Sequence, residues 1–174
     1  SNYQQAHRLF CLLSINGHAD AQFQLAQFYA EGVVVEKNTT AAAIWFQRAA
    51  QNGYAPAQYS LALLYAQGKG VAFELASAMQ WWRRAAEQGH AQAQYQLGML
   101  YARGLGVNRS WTDSAYWWQQ AAQAGYAAAQ FELGRLYAMG AGVNKNIILA
   151  TFWWEHSAKQ GDLRAQQALL HTEP

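Results

Sequence analysis

Apolar and small residues fall along the chain in two alternating helical stripes. In the stretch GHAQAQYQLGMLYARGLGV, residues 89–107, Ala93, Leu97, Leu100 and Tyr101 are spaced i, i+4, i+7 and i+8, which is one face of an α-helix. Beyond the loop, Ser114, Trp117, Trp118, Ala121 and Ala122 are spaced i, i+3, i+4, i+7 and i+8 and make a second stripe. The opening glycine recurs as Gly17, Gly53, Gly89, Gly125 and Gly161, each 36 residues from the last. The Ala-Gln pair recurs as Ala21-Gln22, Ala57-Gln58, Ala93-Gln94, Ala129-Gln130 and Ala165-Gln166, and the tyrosine as Tyr29, Tyr65, Tyr101 and Tyr137. No insertion breaks the register. A fixed period of about 20–50 residues marks an architecture of stacked repeats.

This frame divides the chain into a half repeat at 3–16, full repeats at 17–52, 53–88, 89–124 and 125–160, and a half repeat at 161–171. The expectation is one all-α repeat domain over 1–174, with about ten helices paired in antiparallel hairpins that nest into a right-handed α–α superhelix. Each predicted helix runs roughly 12–14 residues, a length that is marginal alone in water, so the helices must support one another.

The residues between the stripes agree with this plan. Gly32, Gly68, Gly104 and Gly140 follow the first helix of each repeat, where a chain leaving a helix commonly needs positive φ. Gly70, Gly106 and Gly142 come two residues later, and Val34 takes that slot in the first repeat. Asn38, Ser110 and Asn146 stand where the second helix needs an N-cap. Glu74 fills the same slot in its repeat and caps poorly, which predicts a frayed or shifted start there.

A repeat reading A-Q-x-x-L-G-x-x-Y-x-x-G-x-G-V, then a cap residue and W-x-x-x-A-A-x-x-G, resembles the Sel-like repeat (SLR) family, a tetratricopeptide-type α-solenoid. Residues 89–125 match almost throughout, and the resemblance covers nearly the whole chain. Departures from the family pattern, such as Asn38, Glu74 and Ser110 in place of its usual cap Asp, touch helix starts and surface only. The resemblance implies a bacterial protein-interaction scaffold. Typical roles are adaptor in membrane-associated complexes, envelope regulation and host interaction, so a periplasmic or envelope location is suspected, with the cytoplasm as the alternative.

Composition narrows the partner chemistry. Charged residues make up 13 % and the net charge is +2 with no polybasic run, which leaves nucleic-acid binding unsupported. No run of about 18 apolar residues suggests membrane insertion. The chain opens at SNYQQAHRLF without an initiator Met, as a piece of a longer reading frame would, with Ser1 and Asn2 read as a cloning remnant and room for a targeting segment upstream. Cys11 is the single cysteine, so no intrachain disulfide can form. Cysteine-rich SLR proteins have been linked to β-lactam binding or hydrolysis, but their paired cysteines and any Ser-x-x-Lys motif are missing here.

Catalytic and metal-binding patterns are equally sparse. The histidines His7, His18, His90, His156 and His171 lack neighbours at ligand spacing. The acids are scattered one to three to a repeat, with no obvious pair for general acid and base work. Gly104-Leu105-Gly106 follows a helix and lacks the Lys of a phosphate loop. No enzymatic activity, cofactor or metal is expected.

The remaining columns either build or bind. Trp45, Trp81, Trp117 and Trp153 sit beside small residues and are expected to fill the joints between hairpins, so that Trp117→Ala would cost about 3–5 kcal/mol. The adjacent column of Phe46, Trp82, Trp118 and Trp154 is left open between burial and exposure. Ala26, Ala62, Gly98 and Gly134 imply a close helix crossing, and the Gln column a structural bond to loop backbone. In tetratricopeptide-type stacks the first helices line the concave face. Its variable positions are Gln27, Leu63, Met99 and Arg135; Glu31, Gln67, Arg103 and Met139; and Gln24, Ser60, Gln96 and Glu132, bordered by the aromatic column Phe23, Tyr59, Tyr95 and Phe131. Aromatics, Met, Arg and Gln together suit a protein or peptide segment. The alternatives are recognition of a cell-wall glycan on outward aromatics, and self-association through open repeat ends carrying Leu163, Leu169 and Leu170.

Overall fold

The structure, a computed structural model, describes the backbone of residues 2–171 and the side chains of 4–171. Ser1, half of the supposed cloning remnant, lies outside the described residues. Among those described there are ten helices and no strand: α1 (Asn2–Ile15), α2 (Ala19–Glu31), α3 (Thr39–Gln51), α4 (Ala55–Gln67), α5 (Leu75–Glu87), α6 (Ala91–Arg103), α7 (Trp111–Gln123), α8 (Ala127–Met139), α9 (Ile147–Lys159) and α10 (Leu163–Leu170). The chain divides at a repeat boundary into two compact units, 1–88 and 89–174. In the first, α2 and α3 pair as a hairpin, as do α4 and α5, and α3 also packs on α4. In the second the same holds for α6 with α7, α8 with α9, and α7 with α8.

Each hairpin centres on one leucine of its first helix, Leu25, Leu61, Leu97 or Leu133, all essentially inaccessible to solvent. Against it the second helix turns its small residues and one large aromatic. That aromatic comes from the column left open by the sequence: Trp118 is 2 % exposed and Trp82 4 %, with Phe46 and Trp154 similarly buried. The expected core column, Trp45, Trp81, Trp117 and Trp153, is half-buried instead. One residue along a helix is a rotation of about 100°, which moves a side chain from the hairpin interior to its edge. Trp81 and Trp153 pack against the buried clusters that join their own first helix to the hairpin before it. The outer faces of Trp45 and Trp81 carry the guanidinium groups of Arg48 and Arg84 at 4.6 and 4.7 Å.

The recurring glycine in the first helix belongs to this contact. A Cβ at Gly98 would overlap the Trp118 indole, and one at Gly134 the Trp154 indole. The bare backbone lets each ring settle far enough for its Nε1 to donate to a main-chain carbonyl, Tyr95 O and Phe131 O respectively, each at 3.2 Å. The second repeat pairs Trp82 with Ala62, and there the buried Nε1 has no acceptor.

Polar groups complete the joints. Gln22, Gln58, Gln130 and Gln166 each donate Nε2 to a carbonyl in the last turn of the helix before them: Ser14, Ala50, Ala122 and Ala158, at 3.0–3.3 Å. Such carbonyls have no partner within their own helix, so the Gln column acts as a C-cap supplied from the next helix. Asn52, Gln88 and Gln160 then donate to the Oε1 of Gln22, Gln58 and Gln130 at 2.8–3.1 Å, tying one turn to the next. Ala124 takes this donor slot in the remaining turn.

The first helices end on Gly32, Gly68, Gly104 and Gly140 at φ 64–76°, the left-handed region. Asn38, Ser110 and Asn146 accept from the backbone N–H three residues on. Glu74 does not, yet α5 keeps the common register and is neither shortened nor shifted. Its N–H still donates to Tyr65 O, the loop-closing bond found in every repeat, and Ser77 Oγ donates to its carboxylate at 2.9 Å.

The indole contact can be tested with three sets of variants. Trp118→Ala should cost about 3–5 kcal/mol, the range for deleting a buried aromatic, and Trp117→Ala clearly less; equal losses in urea unfolding would contradict the assignment. Gly98→Ala should destabilise by about 1–3 kcal/mol through overpacking. Ala62→Gly should be close to neutral, because the acceptor gained by Trp82 offsets the helix penalty of about 1 kcal/mol. A loss above about 2 kcal/mol would show that the indole does not settle.

Candidate functional site

In the second unit the exposed sides of α6 and α8, with the start of α7, enclose a cavity of about 200 Å³. Five of the residues singled out by sequence line it: Met99, Arg103, Glu132, Arg135 and Met139. They meet for a geometric reason. Met99 and Arg103 are four residues apart on α6, Arg135 and Met139 four apart on α8, and positions at that spacing share a helix face. Trp118 and Leu136, both buried, lie beneath them, and Trp111 at the first position of α7 forms a wall.

Glu132 also lines the cavity, although it is only 7 % exposed. Its Oε2 is 2.7 Å from Nη1 of Arg135, and its Oε1 is 3.5 Å from Nη1 of Arg164 on α10. The carboxylate is therefore neutralised from two helices, as burial of a charge requires. Arg164 lies across the Phe131 ring at 4.3 Å and is held in turn by Asp162 at 2.7 Å. Hydrogen bonding to Arg164 keeps the Asp162 carboxyl below its ordinary range, and the Arg164 guanidinium is raised in step. Beside this group the Tyr95 phenol is pushed up by burial and, less strongly, by the charge of Glu132, with Arg164 opposing.

The remaining sequence candidates are placed differently. Tyr95 stacks on Trp118 and meets Tyr126 edge-on, at centroid distances of 6.4 and 5.3 Å, so it braces the cavity from behind. Phe131, expected on the binding face, is buried with Ala150, Trp154 and Ala165 beneath the Arg164 guanidinium. The cover comes from α10, the nearest helix that can shield that ring. In the first unit Phe23 packs against Phe46 and Tyr54, and Gln27, Tyr59 and Leu63 are half-buried.

Trp111, Asp162 and Arg164 were missed by sequence reasoning as parts of this site. Trp111 stands one residue past the cap, outside the stripe of α7, and Arg164 falls in a column otherwise filled by Asp20, Pro56, Gln92 and Ala128. An arginine appearing once in such a column is the only available signal. A second exposed surface lies on the second helices, where Ile148, Phe152 and Tyr116 are open to solvent. Cys11 sits 3.8–3.9 Å from the ring nitrogens of His7, but burial raises its thiol pKa, the reverse of an activated nucleophile. Among the described residues no three His, Cys, Asp or Glu side chains gather as a metal site would need, and no helix is long and apolar enough to cross a membrane.

A family model described as "Sel1 repeat" matches residues 19–54, 55–90, 91–126 and 127–162. A Sel1 repeat protein from Oxalobacter formigenes is 35% identical with a TM-score of 0.92, over 96% of this chain and 48% of that one. A protective antigen from uropathogenic Escherichia coli, described as displaying an SLR fold, is 34% identical with a TM-score of 0.91, over 96% of this chain and 36% of that one. The chain thus spans between a third and a half of the length of these two structures. Helicobacter pylori cysteine rich protein B is similar in fold, at 22% identity and a TM-score of 0.61 over 79% of this chain and 99% of that one. A search of the curated proteins returned no match.

The lowered Asp162 carboxyl gives a signed pH dependence. A carboxyl whose native pKa lies below its unfolded value stabilises the fold above the unfolded value, about 3.9, and loses that contribution as pH falls through the native one. Thermal melts should therefore separate the parent from Asp162→Asn at neutral pH, and the gap should close below about pH 4. A gap independent of pH would mean the ion pair contributes nothing.

Proposed function

The chain belongs to the Sel1 repeat family, and we propose that it acts as a binding scaffold that seats a protein segment on the exposed face of its first helices. Proteins of this family are generally protein-interaction scaffolds. The observation that carries the finer reading is the cavity shared by Met99, Arg103, Arg135 and Met139. Methionine, arginine and tryptophan are among the residue types enriched at protein interfaces, and Met adapts its shape to what it meets. The rigid part of the site lies underneath, in Trp118 and Leu136, while the variable residues stand above it. A segment bound there would be read by side chains that can change between repeats without disturbing the helix pairing.

The bare rings required by the glycan alternative are partly covered, since Arg48 and Arg84 already occupy faces of Trp45 and Trp81. That favours the protein-segment reading. Affinity capture with the whole chain should recover a binding protein, and the double variant Met99→Glu with Met139→Glu should lose it while keeping the parent helical signal. Tyr116→Glu, on the second-helix surface, should retain it. Capture that survives the methionine pair and fails with Tyr116→Glu would place the binding surface on the second helices.

A further inference from the structure

The cavity's charges are unequally satisfied, and the imbalance specifies what the bound segment must carry. Glu132 is the one acid lining the cavity, and both of its oxygens are engaged by Arg135 and Arg164. Arg164 is engaged by Asp162 as well. No carboxylate of the site is left for a basic ligand. The cations are in the opposite position. Arg103, in the last turn of α6, makes no ion pair among the described residues. Arg135 uses Nη1 on Glu132, remains half-exposed at 48 %, and has no other ion pair among the described residues. Arg109 adds a third guanidinium at the edge, 4.7 Å above the Trp111 ring that walls the cavity.

Beneath this positive rim the lining is apolar. Met99, Ala102, Leu136 and Met139, with the two tryptophans, supply it. At about 200 Å³ the space is smaller than the roughly 300 Å³ at which pockets for drug-sized molecules begin. It holds about seven waters' worth of volume, the scale of one large aliphatic or aromatic side chain. An apolar socket with one unpaired guanidinium, Arg103, and one only partly engaged, Arg135, at its mouth fits a side chain of that size flanked by carboxylate, because the arginine fork matches carboxylate geometry.

Resting on the reading of this face as the seat of a protein segment, we propose that the α6–α8 cavity selects an acidic segment in which Asp or Glu adjoins Leu, Met or Phe. The apolar side chain enters the cavity between Met99 and Met139, and the adjoining carboxylate pairs with Arg103 and Arg135. A lysine or arginine in the carboxylate position would face only cations.

The test is selection of a displayed random-peptide library on the whole chain, followed by fluorescence anisotropy. The anisotropy probes are labelled Gly-Ser-Asp-Leu-Asp-Ser-Gly and its twins with Asn or Lys in place of both Asp. Enriched peptides are expected to place Asp or Glu beside a large apolar residue. The Asp probe should bind about tenfold tighter than the Asn twin, as charge-assisted bonds outweigh neutral ones. The preference should shrink as salt rises from about 50 to about 300 mM, because the arginines are exposed. Arg103→Gln should erase most of it, and Arg103→Lys should keep part, charge without the fork. Equal binding of the Asp and Asn probes, or preference for Lys, overturns the proposal. Peptides that are retained, lost on Met99→Glu and show no acidic preference overturn this inference while upholding the protein-binding face. Retention of no peptide at all overturns both.

Discussion

Each hairpin closes by pressing one large aromatic ring of its second helix onto a small residue of its first. Everything else in the repeat is arranged so that this contact can form. The leucine of the first helix fills the space beside the ring, the alanines of the second helix let the two axes approach, and the loop length sets the register at which they meet. Where the small residue is Gly98 or Gly134, the indole settles onto bare backbone and donates to it. With Ala62 the helix keeps its better former and the Trp82 indole goes without an acceptor. Helix propensity and indole hydrogen bonding compete at this position, and the repeats resolve the conflict in both ways.

The same contact explains why the candidate site can vary. The side of α6 and α8 that carries Arg103, Arg135 and Met139 is exposed and carries little of the packing. Arg103, Arg135 and Met139 are free to be chosen for what they meet, Met99 partly packs on the core, and Trp118 and Leu136 beneath them keep the shape constant. Glu132 is the exception, a nearly buried carboxylate on the variable face. It is tolerated because Arg135 supplies one countercharge from its own helix and Arg164 another from α10. That network removes the site's negative charge and leaves its mouth cationic.

Much of this was legible in the residues alone. The helices, their order, the left-handed glycines and three of the four second-helix caps could be read, because a 36-residue period without insertions averages the signal over several copies. The aromatic columns were harder. Positions 117 and 118 both fit the stripe of α7, since a helical period cannot separate neighbours that fall on either side of a broad apolar face. Assigning the joint to Trp117 put the half-buried neighbour ahead of Trp118, whose burial was left open. Glu74 misled in the other direction: its weak capping chemistry did not displace α5, because packing against α4 and the bond from its N–H to Tyr65 O hold the start in place.

By itself, then, the sequence determined the repeat, the all-helical hairpins and the turn positions. These follow from local propensities and from spacing along one chain. Only tertiary structure decided which of two adjacent tryptophans enters a hairpin, that Phe131 is covered, and that Arg164 reaches Glu132 from α10, more than thirty residues away. Such facts depend on the rotation of each helix about its axis and on side chains from different repeats arriving at one point. Periodicity records neither.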